Sequence, residues 1–391
     1  MKLDTFCLAP WVHSTVTVDT KLYPCCVFNR TETQTYTDFE GWWNGDTMGK
    51  LRSDFISNVK NPNCNKCWQD ESLGKESLRQ GYNKLFKPYV NFAQLGKDIK
   101  NNNVNNVPLP TTWELDIGNL CNLKCIMCGP TWSDKIHNEV VANESKFAEF
   151  PMLIKQTKNI VQADWTESED GKRFIDWVRP NIKWLKLQGG ESLTVKGIRD
   201  LIESLDAKNV TLSITTNGTV LDQRLLDVLS KFKEVEISIS VEAAGPANDV
   251  IRYGSSWQVI EKNIDLLHQC SNVDLQLNHV LQNTSTLFLP DVIKFAEQRG
   301  LHLAVCQLKH PEYLSLESIP SFHIDKLIDI VDELEIANPR NIPIKNFIKN
   351  IRACVEYHPE KHKQFQQYVA TLDQVRSKKL TPWIEPILNT L

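Results

Sequence analysis

The chain has 391 residues, 41% of them hydrophobic and 24% charged, and carries a formal net charge of -4 from 44 basic and 48 acidic side chains. That length predicts two or three folding units, and the composition is that of a globular protein, which excludes disorder. The slight acidity gives no broad footprint for a phosphate backbone, so nucleic acid is not an expected partner. No apolar run reaches bilayer length, and the start, MKLDTFCLAPW, lacks a basic region followed by an apolar stretch. A cytoplasmic protein with no membrane contact is expected.

In chain order, residues 1–96 are rich in Trp, Cys and turn formers and read as a small Cys-rich domain. KNNNVNNVPLP (Lys100 to Pro110) then breaks the pattern with Asn and Pro, predicting a linker over 97–110. From 111 to 311 six β-like runs, TWELDIG, IKWLKLQ, VTLSITT, VEISISV, VDLQLNH and LHLAVCQ, alternate with amphipathic helical stretches. Such alternation predicts an α/β core with a parallel sheet or barrel. Beyond Pro311, Phe322, Leu327, Ile328, Val331 and Leu334 recur at roughly helical spacing, so 312–391 is expected to be a helical C-terminal region.

The six runs alternate in polarity, whereas a parallel strand covered on both sides should be almost continuously apolar. One face carries Glu114, Asp116, Lys186, Gln188, Ser213, Thr215, Glu236, Ser238, Ser240, Asp274, Gln276 and Asn278. The other carries leucines and isoleucines suited to a layer of helices. A polar interior suggests a wide or incomplete barrel that receives a polar ligand, with an open sheet as the alternative.

Eleven cysteines could mean disulfides or metal ligation, and spacing decides between them. Eight fall in tight groups: Cys7, Cys25 and Cys26, Cys64 and Cys67, and Cys121, Cys125 and Cys128. Such grouping wraps a loop around iron–sulfur or zinc. Cys270, Cys306 and Cys354 stand alone and are expected to be small buried residues. CNLKCIMC follows the first core strand, where α/β folds place their sites. Three local thiolates leave one iron of a 4Fe–4S cube open to an outside ligand. The alternative is a zinc knot completed by a histidine such as His137.

The CxxxCxxC spacing of Cys121, Cys125 and Cys128 after a first strand resembles the signature of the radical S-adenosylmethionine (SAM) superfamily. Gly189, Gly190 and Glu191, ending the second core strand, resemble its GGE element. The resemblance implies a partial (β/α)6 TIM-like barrel, a 4Fe–4S cluster on the three cysteines, and SAM held at the open iron. It implies contact of Gly189, Gly190 and Glu191 with the SAM amino group, and of Ser238, Ser240 and Glu242 with the ribose. Asn217 and Arg252 are further expected SAM contacts, Arg252 for the carboxylate. Met127 stands where the family commonly has an aromatic residue, and is expected to cover the adenine instead.

Cys7, Cys25, Cys26, Cys64 and Cys67, with the segment WWNGDTMGKLR, resemble the twitch and SPASM auxiliary-cluster modules of the same superfamily, here placed before the core. The likeness implies a second, auxiliary 4Fe–4S cluster. Either Cys25 or Cys26 completes its ligand set, and the choice leans to Cys26; zinc is the alternative at the Cys64–Cys67 pair. The resemblance implies reductive cleavage of SAM to a 5'-deoxyadenosyl radical that takes hydrogen from a polar peptide, amino-acid-like or sugar-like substrate. It also implies an electron donor such as flavodoxin or ferredoxin. A non-catalytic iron–sulfur carrier and a zinc-stabilised binding protein are the competing functions.

Overall fold

A computed structural model describes residues 4–29, 34–158 and 164–389. They form two compact units, one of Met1–Leu120, Val161–Ile214 and Val228–Val235, the other of Cys121–Ile160, Thr215–Asp227 and Glu236–Leu391. The fold is α/β with a mostly parallel sheet.

In the first unit, β1 (His13–Val16), β2 (Lys21–Tyr23) and β3 (Gln34–Thr35) precede β4 (Thr112–Asp116), β5 (Trp184–Gln188) and the start of β6 (Thr211–Thr216). Their order is β3-β2-β1-β4-β5-β6. The outer pairs β3–β2 and β2–β1 are antiparallel, while β1, β4, β5 and β6 run parallel. The register sets Val16, Leu115, Leu187 and Ile214 in one row and Thr15, Glu114, Lys186 and Ser213 in the next. Residues directly opposite in neighbouring strands share a face, so the first row is the apolar side and the second the polar side. All four apolar members are at most 1% exposed, each stabilising the fold by roughly 1.5–3 kcal/mol. Trp113, on β4, meets Phe174 of the helix Glu169–Val178 edge to face at 5.4 Å. Ser168 caps that helix by accepting the Gly171 N–H at 3.0 Å.

Two expectations change here. The N-terminal segment is not separate from the core strands, because β1 pairs along β4 and Thr112 Oγ1 donates to the Val12 carbonyl at 2.8 Å. Nor is 97–110 a free linker. It begins in the helix Phe92–Lys100, and its later part is pinned by the helices Phe39–Trp43 and Asp46–Ile56. Arg52, fully buried, donates to the Pro10 carbonyl at 2.8 Å and the Val104 carbonyl at 2.7 Å, and Trp43 Nε1 donates to the Pro108 carbonyl at 3.0 Å.

In the second unit the strand order is β7 (Glu234–Ser240), β8 (Val273–Leu281), β9 (His302–Gln307), with β8 and β9 parallel. Burial alternates along β8: Leu275, Leu277 and Leu281 are buried while Gln276, Asn278 and Val280 are half-buried. The polar side is cross-linked, Gln276 Nε2 donating to Ser238 Oγ at 2.5 Å and Gln276 Oε1 meeting His302 Nδ1 at 3.0 Å. The C-terminal region contains helices Phe322–Glu333, Pro343–Arg352, Pro359–Val375 and Thr381–Leu388. Its expected apolar row is shifted, since Phe322 is half exposed and the buried stripe runs Ile324, Leu327, Val331. The three isolated cysteines also depart from expectation: Cys306 and Cys354 are exposed and Cys270 half-buried. Among the described residues, no helix is long and apolar enough to cross a membrane.

Candidate active site

The loop of Cys121, Cys125 and Cys128 in the second unit is fixed by its backbone. Cys121 N–H donates to Asp134 Oδ1 at 2.8 Å, and Ser133 Oγ donates to the Leu123 carbonyl at 2.8 Å. Ser133 also caps the helix Asp134–Ala142 by accepting the Ile136 N–H. On the other side Lys124 N–H donates to the Tyr253 carbonyl at 2.8 Å and Ile126 N–H to the Ile251 carbonyl at 2.9 Å. Leu123 and Ile126, each 1% exposed, anchor the loop, and Met127 packs against the Cys121, Leu123 and Cys125 cluster.

Arg252 lies beside these thiols. Its Nη1 is 3.8 Å from Cys125 Sγ, and its Nη2 donates to Glu242 Oε1 at 2.7 Å. Glu242, fully buried after β7, also accepts the Val280 N–H through Oε2 at 3.1 Å, and its own N–H donates to Asn248 Oδ1 at 3.0 Å. Burial pushes its carboxyl up to about 7 even though Arg252 and the Val280 N–H pull it down. Arg252 Nε is buried with no hydrogen-bond partner among the described residues, a donor free for an outside anion. Burial likewise raises both thiols: Cys125 less, because Arg252 opposes it, and Cys128 to about 12, with Cys125 adding to the effect. Thiols this reluctant to ionise need a strong local positive charge to become thiolates, which a coordinated iron supplies.

The other expected SAM contacts divide between the units. In the second, Asn217 donates through Nδ2 to Asn122 Oδ1 at 2.9 Å, tying the turn after β6 to the cysteine loop, and accepts from Thr219. Ser240 is buried, and Ser238 Oγ accepts from Gln276. In the first, Gly189 has φ +133°, and a Cβ on Gly190 would lie 2.4 Å from the Leu120 carbonyl oxygen. Both positions therefore require glycine. Glu191 N–H donates to that same carbonyl at 2.8 Å, and its buried carboxylate accepts the Leu193 N–H at 3.2 Å.

Also in the first unit, Cys7, Cys25, Cys64 and Cys67 line one cavity together with Arg79 and Tyr82. The helix Leu78–Leu85 draws these distant segments together. Arg79 grips Glu71 through Nε at 3.0 Å and Nη2 at 2.8 Å, and donates through Nη1 to the Phe6 carbonyl at 2.6 Å. Asn83 holds the same loop by accepting the Leu8 N–H at 2.7 Å and donating to the Phe6 carbonyl at 2.9 Å. Burial pushes the Cys7 thiol up to about 12, and those of Cys25 and Cys64 are raised as well. Cys26 does not line the cavity; its Sγ is 3.8 Å from Tyr82 Oη. Cys25, rather than the Cys26 to which the sequence leaned, is thus the neighbour that faces this cavity. Among the described residues, no three His, Cys, Asp or Glu side chains converge on a single metal ion.

Beyond Tyr82 lies the polar row. Glu114, 1% exposed, accepts from Lys186 Nζ at 3.0 Å and Gln188 Nε2 at 2.7 Å on one oxygen, and from Tyr82 Oη at 3.3 Å on the other. Burial alone would raise the Glu114 carboxyl, but Lys186 and the hydrogen bonds outweigh it and the net shift is downward. The pair therefore stays charged. Sequence reasoning did not find Arg79, Tyr82 or Asn83. The one local sign was the Ser77–Gln80 capping box that starts their helix.

An α/β fold with a mostly parallel sheet and a loop of three closely spaced, largely buried thiols defines a cysteine-site α/β protein. Residues 115–289 match the family model of the Radical SAM superfamily. The chain therefore carries a radical SAM domain, of a family that uses a 4Fe–4S cluster and SAM. It is 28% identical to a GTP 3',8-cyclase of Rhizobium etli over 34% of this chain and 39% of that protein. It is 20% identical to the mycofactocin maturase MftC of Mycobacterium ulcerans over 52% of this chain and 48% of that protein. The chain spans 39% to 57% of the length of the curated relatives it matches. Among solved structures, Streptococcus suis SuiB bound to S-adenosylmethionine aligns with a TM-score of 0.42 and 13% identity, over 84% of this chain and 67% of that one.

Proposed function

We propose that this chain is a radical SAM enzyme acting on a polar substrate, a peptide or an amino-acid-like or sugar-like small molecule, with an auxiliary iron–sulfur cluster in its twitch-like N-terminal segment. A partial (β/α)6 barrel is the architecture that suits this reading, with the polar strand faces turned inward. The observation that carries the proposal is Arg252, one of whose nitrogens meets Cys125 Sγ and another Glu242, while a third has no partner among the described residues. When bound and reduced, the cluster supplies the electron that splits SAM into methionine and a 5'-deoxyadenosyl radical.

In this reading Cys121, Cys125 and Cys128 ligate the SAM cluster. Arg252 orients the SAM carboxylate, and Glu242, anchored by Arg252 and the Val280 N–H, keeps the guanidinium in place. Ser238, Ser240 and Asn217 stand by for the ribose side and Met127 for the adenine. Gly189, Gly190 and Glu191 keep the role their motif implies, toward the amino group. Cys7, Cys25, Cys64 and Cys67 ligate the auxiliary cluster, and Lys186, steadied by buried Glu114, offers its remaining N–H groups to substrate. An electron donor such as flavodoxin or ferredoxin completes the cycle. Matched relatives named as a cyclase and as a maturase are in keeping with either a small molecule or a peptide.

The test is anaerobic reconstitution with iron and sulfide, reduction, and addition of SAM. Methionine and 5'-deoxyadenosine are expected, and Cys125→Ala should abolish both. Wild-type chain that binds no cluster, or binds one and leaves SAM intact with every candidate substrate, overturns the reading.

A further inference from the structure

The cysteine loop is held from a part of the chain that none of its motifs contains. Tyr368, on the helix Pro359–Val375, is 3% exposed and donates from Oη to the Ile126 carbonyl at 2.9 Å, between Cys125 and Cys128. Its ring is locked against Phe150 at 5.1 Å and Tyr313 at 4.8 Å. Arg376, just past the helix end and 5% exposed, grips Glu139 through Nη2 at 2.7 Å and Nε at 3.2 Å. Glu139 also accepts Lys124 Nζ at 2.6 Å, and Lys124 stands between Cys121 and Cys125 in the chain. Both cations lie over the Tyr253 ring, at 4.9 Å for Lys124 and 5.0 Å for Arg376, and Tyr253 Oη meets Ser377 Oγ at 2.9 Å.

Two cations share one carboxylate here, so the trio keeps a single net positive charge beside the thiols. Arg376 Nη1 is buried with no hydrogen-bond partner among the described residues, which leaves part of that charge without local compensation. In a poorly screened interior such a charge favours whichever redox state of a neighbouring centre is more negative. The arrangement is more than a fold contact, since a hydrophobic pair of similar volume would pack these helices at lower desolvation cost.

We propose that Arg376, Lys124, Glu139 and Tyr368 are positioning residues of the SAM cluster: the trio's net charge raises its reduction potential, and Tyr368 fixes the Cys125–Cys128 spacing. This rests on the reading of Cys121, Cys125 and Cys128 as cluster ligands. The one-electron step is reduction of the cluster by an external donor, and no bond to the trio is made or broken.

The experiment is an anaerobic redox titration of the reconstituted full chain, following by electron paramagnetic resonance the cluster signal that SAM perturbs. Lys124→Gln and Arg376→Gln each remove positive charge and should lower the potential. Glu139→Gln removes negative charge and should raise it, and Arg376→Lys should leave it near wild type. At a fixed potential the expected change is about threefold in the ratio of reduced to oxidised cluster, near 28 mV for one electron. Tyr368→Phe should broaden or shift the signal at unchanged iron content. Merely loosening the loop would move the charge variants in one direction. Lys124 is partly exposed, so its variant folds even where Arg376→Gln does not, and in that case the signs of Lys124→Gln and Glu139→Gln are compared. Opposite signs support the proposal; shifts of one sign, or none beyond error, overturn it. A wild-type chain with no SAM-perturbed signal fails the reading beneath it instead.

Discussion

At the residue scale, two neighbouring sulfurs have different surroundings: Cys25 lines the four-cysteine cavity, whereas Cys26 sits against Tyr82 Oη. Cys25→Ala is therefore expected to lower iron and sulfide per chain by about one cluster, as Cys64→Ala with Cys67→Ala should, and Cys26→Ala to leave them unchanged. Elemental analysis of the reconstituted variants decides it, and equal loss from Cys25→Ala and Cys26→Ala would sink the assignment. Gly190 is the other sharp case. A methyl group there would press 2.4 Å from the Leu120 carbonyl oxygen, so Gly190→Ala should cost about 1–3 kcal/mol in urea unfolding. A cost within error of zero would show that the turn yields easily.

At the scale of elements, the helix Leu78–Leu85 does more than fill space, because Arg79 and Asn83 are what hold the Cys7 loop against the segment of Cys64 and Cys67. Its start depends on Ser77, which accepts the Gln80 N–H while Gln80 Oε1 accepts the Ser77 N–H. Ser77→Ala should cost about 1 kcal/mol and loosen the four-cysteine site, read as faster loss of iron to a chelator. Wild-type release rates would argue that the helix is held by packing alone. The six core strands were legible in the sequence because each alternates over at least five residues, and all appear at their expected positions. β1 to β3 were not, being at most four residues long and too brief for periodicity to register. CNLKCIMC stood out for a local reason, its spacing and nearness to the end of a strand, whereas Arg252 was suggested only by the family resemblance. Tyr368 and Arg376 lie 242 and 237 residues from their partners Ile126 and Glu139, and no local pattern announces such pairs.

At the scale of the whole molecule, buried titratable groups set how stability responds to acid. Burial lowers His13 to about 4 and His279 to about 3, from an ordinary 6.5. As pH falls below 6.5 the unfolded chain takes up these protons first, so stability is lost down to the folded values. His13 alone would account for roughly 3 kcal/mol by pH 4. Glu242 opposes this, because its raised carboxyl takes up a proton in the folded chain first as pH falls from 7 to 4.5. Two histidines against one carboxylate give a net decline below pH 6.5 that steepens below 4.5. Urea midpoints measured across that range should show it, and His13→Phe should flatten the slope. A midpoint that rises on acidification would contradict it.

The pairing of β1 with β4 also has a consequence for how the protein is made. His13 and Thr112, whose side chains meet at 3.1 Å, are 99 residues apart, and parallel pairings over such distances form late because the intervening chain must first be closed. On the ribosome the N-terminal segment emerges first, yet it has no parallel neighbour until residue 112 and beyond have left the exit tunnel. Nascent chains stalled before that point should leave Cys7, Cys25, Cys64 and Cys67 reactive toward thiol reagents, and chains stalled well after it should protect them.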